Sequence, residues 1–207
     1  MLLSLIVSVF NEEGGLTQFY EKASEVLREL SESREALCYE MLFVDDGSTD
    51  RSGDLLSELR KKDPEHVTVL SFSRNFGHEA AMTAGLDYAS GDVLIFMDAD
   101  LQHPPDLIPN ILDKIEEGYE IVNMARTKNE SAGLIKNVTS RAFYGLVNIL
   151  SDMHMEPSAS DFFAMDKKAA SVLRRNYREK VRFLRGYVQN IGFRKAVIPY
   201  EAGGRVA

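Results

Sequence analysis

The chain has 207 residues, of which 44% are hydrophobic and 27% are charged, as in an ordinary single globular domain. Its net charge of −8 argues against nucleic acid as a partner. The single cysteine, Cys38, excludes an internal disulfide framework. The apolar run from Met1 to Phe10 is too short for a membrane span of about 20 residues. We therefore expect a buried first strand, with neither a signal peptide nor a transmembrane helix.

Short apolar runs alternate with amphipathic segments along the chain. Taken in order, the pattern predicts a strand over 3–10, a helix over 16–30, a strand over 39–44, a helix around 55–59, a strand over 67–72, a helix over 78–88, a strand over 93–97, a helix from Pro104 to Gly118 and a strand over 119–124. The second half predicts a helix over 135–150, a strand over 161–165, helices over 167–176 and 181–190, and a strand over 193–200. This alternation indicates an α/β fold with a mostly parallel central sheet and helices on both faces.

Ligands of such sheets bind beyond the carboxyl ends of the strands. That rule selects three polar clusters that follow apolar strands, namely Asn11-Glu12, Asp45-Asp46 and Asp98-Ala99-Asp100. No Gly-rich dinucleotide or P-loop fingerprint is present in the sequence, which argues against a dehydrogenase or a P-loop enzyme.

Asp98 and Asp100 carry the strongest single signal. Two carboxylates at a strand end, with Gln102 nearby, offer hard oxygen ligands to Mg²⁺ or Mn²⁺, and such a metal would stabilise a departing nucleotide. The alternative is a pair of loop aspartates that cap the helix after Pro104.

The other polar residues leave two interpretations open. Asp45 and its neighbours up to Asp50 could accept hydrogen bonds from a base or a ribose, or could form a tight turn with a helix cap. Asp161, at the start of a short strand, could be a general base or a cap. His78 and His103 lack partners at metal-ligand spacing and are interpreted as polar loop residues.

A basic segment runs from Lys167 to Lys195, with ten Lys or Arg residues and one acid, Glu179. Its net charge of +9 leaves −17 for the rest of the chain. The segment is either a solvated helical face or a surface that meets anionic lipid or phosphate groups.

Several segments together resemble the family 2 glycosyltransferases of the GT-A fold. They read VSVFNEE (7–13), FVDDGSTD (43–50), SRNFGH (73–78), AGLDYASGD (84–92) and MDADLQHPP (97–105). The sequence is most similar to polyprenyl-phosphate glycosyltransferases, the group that includes dolichol-phosphate mannose synthase and bacterial undecaprenyl-phosphate sugar transferases. The matching segments cover nearly the whole chain.

The resemblance implies a role for particular residues. The nucleotide-sugar donor would be bound by Phe10, Asn11, Glu12, Asp45, Asp46, Arg74, Asp98 and Gln102. The metal would be held by Asp98, Asp100 and Gln102, the acceptor phosphate by Arg126, Ser140 and Arg141, and the catalytic residues would be Asp100 and Asp161. One catalytic domain is expected over 1–207, with a donor half over about 1–125 and an acceptor half over about 126–207.

The implied reaction is a metal-dependent transfer with inversion, from a UDP- or GDP-sugar to a polyprenyl phosphate at the cytoplasmic face of the membrane. A lipid phosphate needs no strong base, so Asp161 would orient the acceptor, whereas a sugar hydroxyl would require Asp161 as a base. The alternatives are transfer to a polysaccharide or glycan, or nucleotide-sugar binding without turnover. A homo-oligomer is possible.

Two departures from the family pattern stand out. Phe163 occupies the position where relatives often have an arginine, in a segment that reads GDFRL in them and SDFFA here. Relatives also continue past a glycine-rich segment into membrane helices, and this C-terminal membrane segment is expected to be absent from the chain.

Overall fold

The computed structural model describes residues 1–127, 159–177, 179 and 183–204. The strands are β1 (Leu2–Val9), β2 (Cys38–Asp45), β3 (Val67–Ser71), β4 (Val93–Asp98), β5 (Ile121–Arg126), β6 (Ala159–Asp166) and β7 (Lys195–Tyr200). The helices are α1 (Leu16–Ser33), α2 (Ser52–Lys62), α3 (His78–Tyr88), α4 (Ile108–Glu116), α5 (Lys167–Asn176) and α6 (Leu184–Asn190). The helix predicted over 135–150 lies outside the described residues.

The seven strands form one sheet in the order β3-β2-β1-β4-β6-β5-β7. β1 is parallel to β2 and β4, β2 is parallel to β3, and β5 is parallel to β7. β6 is antiparallel to both of its neighbours, β4 and β5. The expected mostly parallel sheet is confirmed, with one reversed strand inside it.

Helices cover both faces of the sheet. One apolar cluster joins α1, α2 and α4 to alternate residues of β1, such as Leu5 and Val7. The other joins α3, α5 and α6 to the opposite face, where Ile6 lies. Strands buried on both sides read as continuous apolar runs, which is why the sequence predicted them well.

The helix predicted to open at Pro104-Pro105 begins as a short 3₁₀ turn, Pro105–Leu107, and continues as α4. Proline fits the first helical turn because its missing N–H would have no partner there. Gly118, with a φ of 87°, follows the helix at its predicted end.

Several Lys and Arg residues of the basic segment from Lys167 to Lys195 contact other parts of the described structure. Lys167 pairs with Asp92 at 3.1 Å, and Lys168 pairs with Glu120 at 3.1 Å. Arg174 donates to two backbone carbonyls at the end of α3, those of Leu86 at 2.7 Å and Ala89 at 2.6 Å. These three cations therefore make contacts within the fold. Among the described helices, none has the length and apolar character needed to cross a membrane.

Candidate active site

A cavity of about 300 Å³ lies beyond the carboxyl ends of β1 and β4. The chain runs outward from β1 to β2 and β3 and then returns to β4 on the other side of β1, so the strand order reverses here. Such a switch point is where open α/β sheets bind ligands. Five of the predicted site residues line the cavity, Phe10, Glu12, Asp46, Asp98 and Asp100, together with Ser8, Asn75, Gly77 and His78.

Asp98, at the end of β4, and Asp100, in the turn that follows, face this cavity. Asp98 Oδ1 accepts a hydrogen bond from the Ser8 hydroxyl at 2.6 Å, and Asp100 Oδ1 accepts one from the backbone N–H of Gln102 at 3.0 Å. Leu101, which follows Asp100, has a φ of 63°, a strained conformation for a bulky residue. Strain of this kind is concentrated at functional sites, and here it belongs to the turn that presents the aspartates.

The two carboxylates fit a divalent cation in the chemistry of their oxygens. Asp98 Oδ2 and Asp100 Oδ2 accept no hydrogen bond from the described residues, so each aspartate has an oxygen available. Within the described part of the chain, no group of three or more His, Cys, Asp or Glu side chains is arranged to hold a metal. Mg²⁺ and Mn²⁺ prefer about six oxygens, so a ligand with oxygens of its own would have to complete the coordination.

Asp46 fixes the loop that forms one wall of the cavity. Its carboxylate is buried, with 3% of the residue exposed. Oδ1 accepts a hydrogen bond from the N–H of Phe76 at 2.7 Å, and Oδ2 accepts one from the N–H of Gly77 at 2.9 Å. Because both oxygens bind this backbone, Asp46 holds the wall in place in addition to lining the cavity.

Asn11 and Asp45 join loops in the structure and do not line the cavity. Asn11 Oδ1 accepts from the N–H of Thr49 at 2.8 Å, and the Asn11 N–H donates to the Ser48 hydroxyl at 3.0 Å. Asp45 Oδ1 accepts from the N–H of Ser48 at 2.9 Å. These contacts correspond to the turn that the sequence offered as an alternative to a base contact.

Gly47 makes the same turn possible. Its φ is 68°, and a Cβ at this position would collide with the backbone of Arg74. The loop after β2 packs directly against the loop after β3 at Gly47, and this close approach requires a residue without a side chain.

Arg74, Gln102 and Arg126 were also predicted as site residues and do not line the cavity. Arg74 is stacked on the ring of Phe76, 3.9 Å from its centroid, and donates to the Asn75 carbonyl at 2.8 Å. Arg126 donates to Gln102 Oε1 at 3.1 Å. This contact joins the proposed acceptor cation to the loop that carries the two aspartates. Ser140 and Arg141 lie outside the described residues.

His78 lines the cavity, although the sequence indicated only a polar loop residue. It is the first residue of α3, and its Nδ1 lies 3.1 Å from the Ser8 hydroxyl and 3.5 Å from Asp98 Oδ1. Its Nε2 lies 3.9 Å from Asp161 Oδ2, while Arg185 lies 3.5 Å from the other oxygen of Asp161. Asp161 is therefore brought next to the cavity through His78.

His103 lies in the loop after β4, as the sequence predicted, but its side chain is buried. Its Nδ1 accepts the backbone N–H of Asp98 at 3.0 Å, and its Nε2 lies 3.3 Å from the Ser160 hydroxyl. The ring is stacked on Phe162 at 5.1 Å between centroids. Burial lowers the pKa of His103, against the opposing effect of the Asp98 charge, so the neutral ring is favoured. His103 thus supports the backbone of the aspartate turn.

A family model described as glycosyl transferase family 2 matches residues 4–181. The chain belongs to glycosyl transferase family 2. It is 40% identical over 204 residues to the uncharacterized glycosyltransferase YkcC of Bacillus subtilis, a match that covers 99% of this chain and 61% of that protein. It is 36% identical over 207 residues to the bactoprenol glucosyl transferase of Shigella phage SfV, which covers 100% of this chain and 65% of that protein. The chain spans less than two thirds of the length of these relatives.

Solved structures show the same architecture for this family 2 domain. A mannosyltransferase from Pyrobaculum calidifontis, in complex with GDP-Man and Mn²⁺, superposes with a TM-score of 0.62 at 18% identity. The match covers 99% of this chain and 57% of that chain. The GT-A fold and the similarity to polyprenyl-phosphate glycosyltransferases, both expected from the sequence, are confirmed.

In this family 2 domain, His78 is a site residue that the sequence analysis did not select. His78 is 70 residues from Ser8 and 20 from Asp98, so no local spacing pattern joins them. The signal that could have found it is its position as the last residue of the SRNFGH segment, since the helix that follows Gly77 begins at the carboxyl edge of the sheet.

Proposed function

We propose that this chain is the catalytic domain of an inverting, metal-dependent glycosyltransferase that moves a sugar from a UDP- or GDP-sugar to a polyprenyl phosphate. The observation that carries the proposal is the convergence of Asp98 and Asp100 on the cavity at the switch point of the sheet. Family membership supports the reaction class, and a volume of about 300 Å³ lies at the lower end of small-ligand sites.

The donor half is proposed from the residues that line the cavity. Phe10 is 42% exposed at the edge of the cavity, where its ring can pack on a nucleobase. Asp98 and Asp100 would hold Mg²⁺ or Mn²⁺ together with the diphosphate oxygens, and the cation would neutralise charge on the departing nucleotide. Gln102, which we expected as a third ligand, accepts from Arg126 and is better suited to linking the donor and acceptor sides.

The acceptor half is proposed from Arg126 and Asp161, with Ser140 and Arg141 as further phosphate contacts. A lipid phosphate is largely dianionic near neutral pH, because its second pKa is about 6. Its oxygen would form a bond to the anomeric carbon while the bond from that carbon to the diphosphate oxygen breaks, and the electron pair would leave with the diphosphate. No proton is transferred, so Asp161 would orient the acceptor and need not act as a base.

The name of the bactoprenol glucosyl transferase relative supports a polyprenyl acceptor. A location at the cytoplasmic face of the membrane is part of the same proposal. Transfer to a glycan hydroxyl is the second candidate, because Asp161 lies close enough to the cavity to serve as a base. Transfer from the same donor to undecaprenyl phosphate or to a soluble sugar distinguishes the two acceptors.

The proposal is tested first by calorimetric titration of UDP and GDP into the chain, with Mn²⁺ and with EDTA. We expect one nucleotide to bind in the presence of the metal, and Asp100→Ala to weaken that binding by at least about tenfold. The matched control is Asp106→Ala, an exposed aspartate six residues further along the chain in the 3₁₀ turn before α4. Binding that is unchanged by EDTA and by Asp100→Ala would refute the metal site, and no binding of either nucleotide to the folded chain would refute the donor site.

A further inference from the structure

His78 lies between the two aspartates that the proposed reaction assigns to opposite substrates. Its Nδ1 is 3.5 Å from Asp98 Oδ1 on the donor side, and its Nε2 is 3.9 Å from Asp161 Oδ2 on the acceptor side. Asp98 ends β4, while Asp161 belongs to the antiparallel strand β6 beside it. One ring therefore spans the space between the donor and acceptor carboxylates.

The Ser8 hydroxyl connects this ring to Asp98. Its oxygen is 2.6 Å from Asp98 Oδ1 and 3.1 Å from His78 Nδ1, so it lies within hydrogen-bond distance of both. A hydroxyl has one hydrogen to donate, and it can point to only one of these two partners at a time. The direction of the Ser8 hydroxyl therefore decides whether His78 Nδ1 accepts a hydrogen bond or donates one.

His78 Nε2 is buried and has no hydrogen-bond partner among the described residues. A buried polar atom without a partner is uncommon in a native structure and calls for an explanation. When the Ser8 hydrogen points to Asp98, the neutral ring carries its own hydrogen on Nδ1, and Nε2 is left as an acceptor that faces a carboxylate. Two acceptors form no hydrogen bond, which accounts for the gap of 3.9 Å to Asp161.

We propose that His78 is a positioning residue that links Asp98 to Asp161 through Ser8. When a bound donor engages the Asp98 carboxylate, the Ser8 hydroxyl is free to turn and donate to His78 Nδ1. The ring then releases its hydrogen on Nδ1 to solvent and takes one from solvent on Nε2, which donates to Asp161 and fixes that carboxylate toward the cavity. The ring is neutral in both arrangements. The link rests on the proposed function, since it requires Asp98 to bind the donor.

The surroundings hold both ends of this link in place. Asp46 binds the N–H groups of Phe76 and Gly77, the two residues directly before His78. Arg185 lies 3.5 Å from Asp161 Oδ1, so the carboxylate is already held by one oxygen and needs only its second partner. A small movement of Asp161 Oδ2 would complete the hydrogen bond to Nε2.

Nitrogen-15 NMR of the histidine rings tests the link directly, because the two ring nitrogens give distinct signals according to which one carries the hydrogen. The spectrum is recorded at alkaline pH, where a free imidazole is neutral, and the signals of His78 are identified by their loss in His78→Gln. We expect the hydrogen on Nδ1 in the free protein and on Nε2 after addition of Mg²⁺ with the nucleotide that binds. The same tautomer in both samples would overturn the proposal.

Two substitutions test the link by a second route. The amide of His78→Asn lies near the original Nδ1, whereas the longer side chain of His78→Gln reaches the position of Nε2. Because both variants lose the ring that lines the cavity, their affinities for nucleotide with Mn²⁺ should agree with each other within about threefold. Transfer from the UDP- or GDP-sugar to undecaprenyl phosphate in detergent micelles should be about tenfold faster in the Gln variant than in the Asn variant. Equal rates, or a faster Asn variant, would overturn the link.

The outcomes also separate this inference from the proposed function. If the wild-type chain shows no metal-dependent nucleotide binding, the proposed function fails and the link fails with it. If nucleotide binds normally but the tautomer does not change, only the link fails. If the tautomer changes while undecaprenyl phosphate is not glycosylated, the link stands and the proposed acceptor is wrong.

Discussion

Asp46 provides the sharpest test of how the site is built. Both of its carboxylate oxygens accept backbone N–H groups, at 2.7 Å from Phe76 and 2.9 Å from Gly77. Hydrogen bonds to a charged group contribute about 1.5–3 kcal/mol each, and the lower value applies here because both contacts are partly buried. Asp46→Ala should therefore lower the free energy of unfolding by about 3 kcal/mol.

Asp46→Asn is the more informative variant because it keeps the shape of the side chain. It retains one acceptor oxygen but places an NH₂ group opposite a backbone N–H, so we expect a loss of about 2 kcal/mol. For a chain of this size, that corresponds to a fall in melting temperature of about 4–8 °C. Nucleotide affinity should also fall, because Asn75 and His78 on the loosened loop line the cavity.

The measurement is urea unfolding followed by circular dichroism, with the exposed Asp106→Asn as the control for the loss of one negative charge. An unchanged m-value would show that the variant unfolds from the same compact state. If Asp46→Asn is within about 0.5 kcal/mol of the wild type, like an ordinary surface substitution, the loop is held by other contacts and the reasoning fails.

Three further changes have defined outcomes. Burial raises the pKa of Glu79, so its contribution to stability is complete below the ordinary glutamate pKa and is lost as the pH rises through the raised value. Glu79→Gln should gain stability relative to the wild type in urea unfolding as the pH rises from about 4 through the raised pKa of Glu79, and a constant difference would contradict this. Phe163 is 2% exposed and stacks on Phe96, so Phe163→Arg should cost more than about 3 kcal/mol in thermal unfolding, whereas a small cost would mean that this position is open to the cavity. Arg175 is exposed on α5, so Arg175→Glu should weaken binding to anionic liposomes at low salt. The control is Lys61→Glu, on the opposite face of the sheet, which should weaken the binding less. Equal effects of the two substitutions would argue against a membrane-facing α5.

The sequence predicted those parts of the fold that depend on local patterns. Strands buried on both faces appear as continuous apolar runs, so β1, β2 and β4 were found within one or two residues of their bounds. The aspartates after β4 were placed correctly because strand ends of a parallel sheet meet at one edge. In contrast, the direction of β6 depends on pairing with β4 across about 70 residues of chain, which no local pattern records.

Only some residues of the candidate site were predicted from the sequence, because the contacts of the others depend on residues far away in the chain. Aspartates at strand ends are easily selected from a sequence as site residues. The sequence does not show whether such a carboxylate binds backbone N–H groups or a ligand, because its partners are not known. Asp46 lines the cavity yet uses both oxygens for the loop, and Asp45 holds a turn. His78 was undervalued because its partners, Ser8 and Asp161, lie far away in the chain.

The reversed strand β6 explains how a departure from the family pattern is accommodated. Phe163 pairs with Phe96 of β4 in the antiparallel register, and their rings stack with centroids 4.6 Å apart. Continuing this register by two residues puts Asp161 across from Asp98, and side chains two apart on a strand share a face. A slip of one residue would turn Asp161 to the other face of the sheet, away from His78. Phe163, which stands at the position of the expected arginine, thus pairs with Phe96 in the register that brings Asp161 to the site.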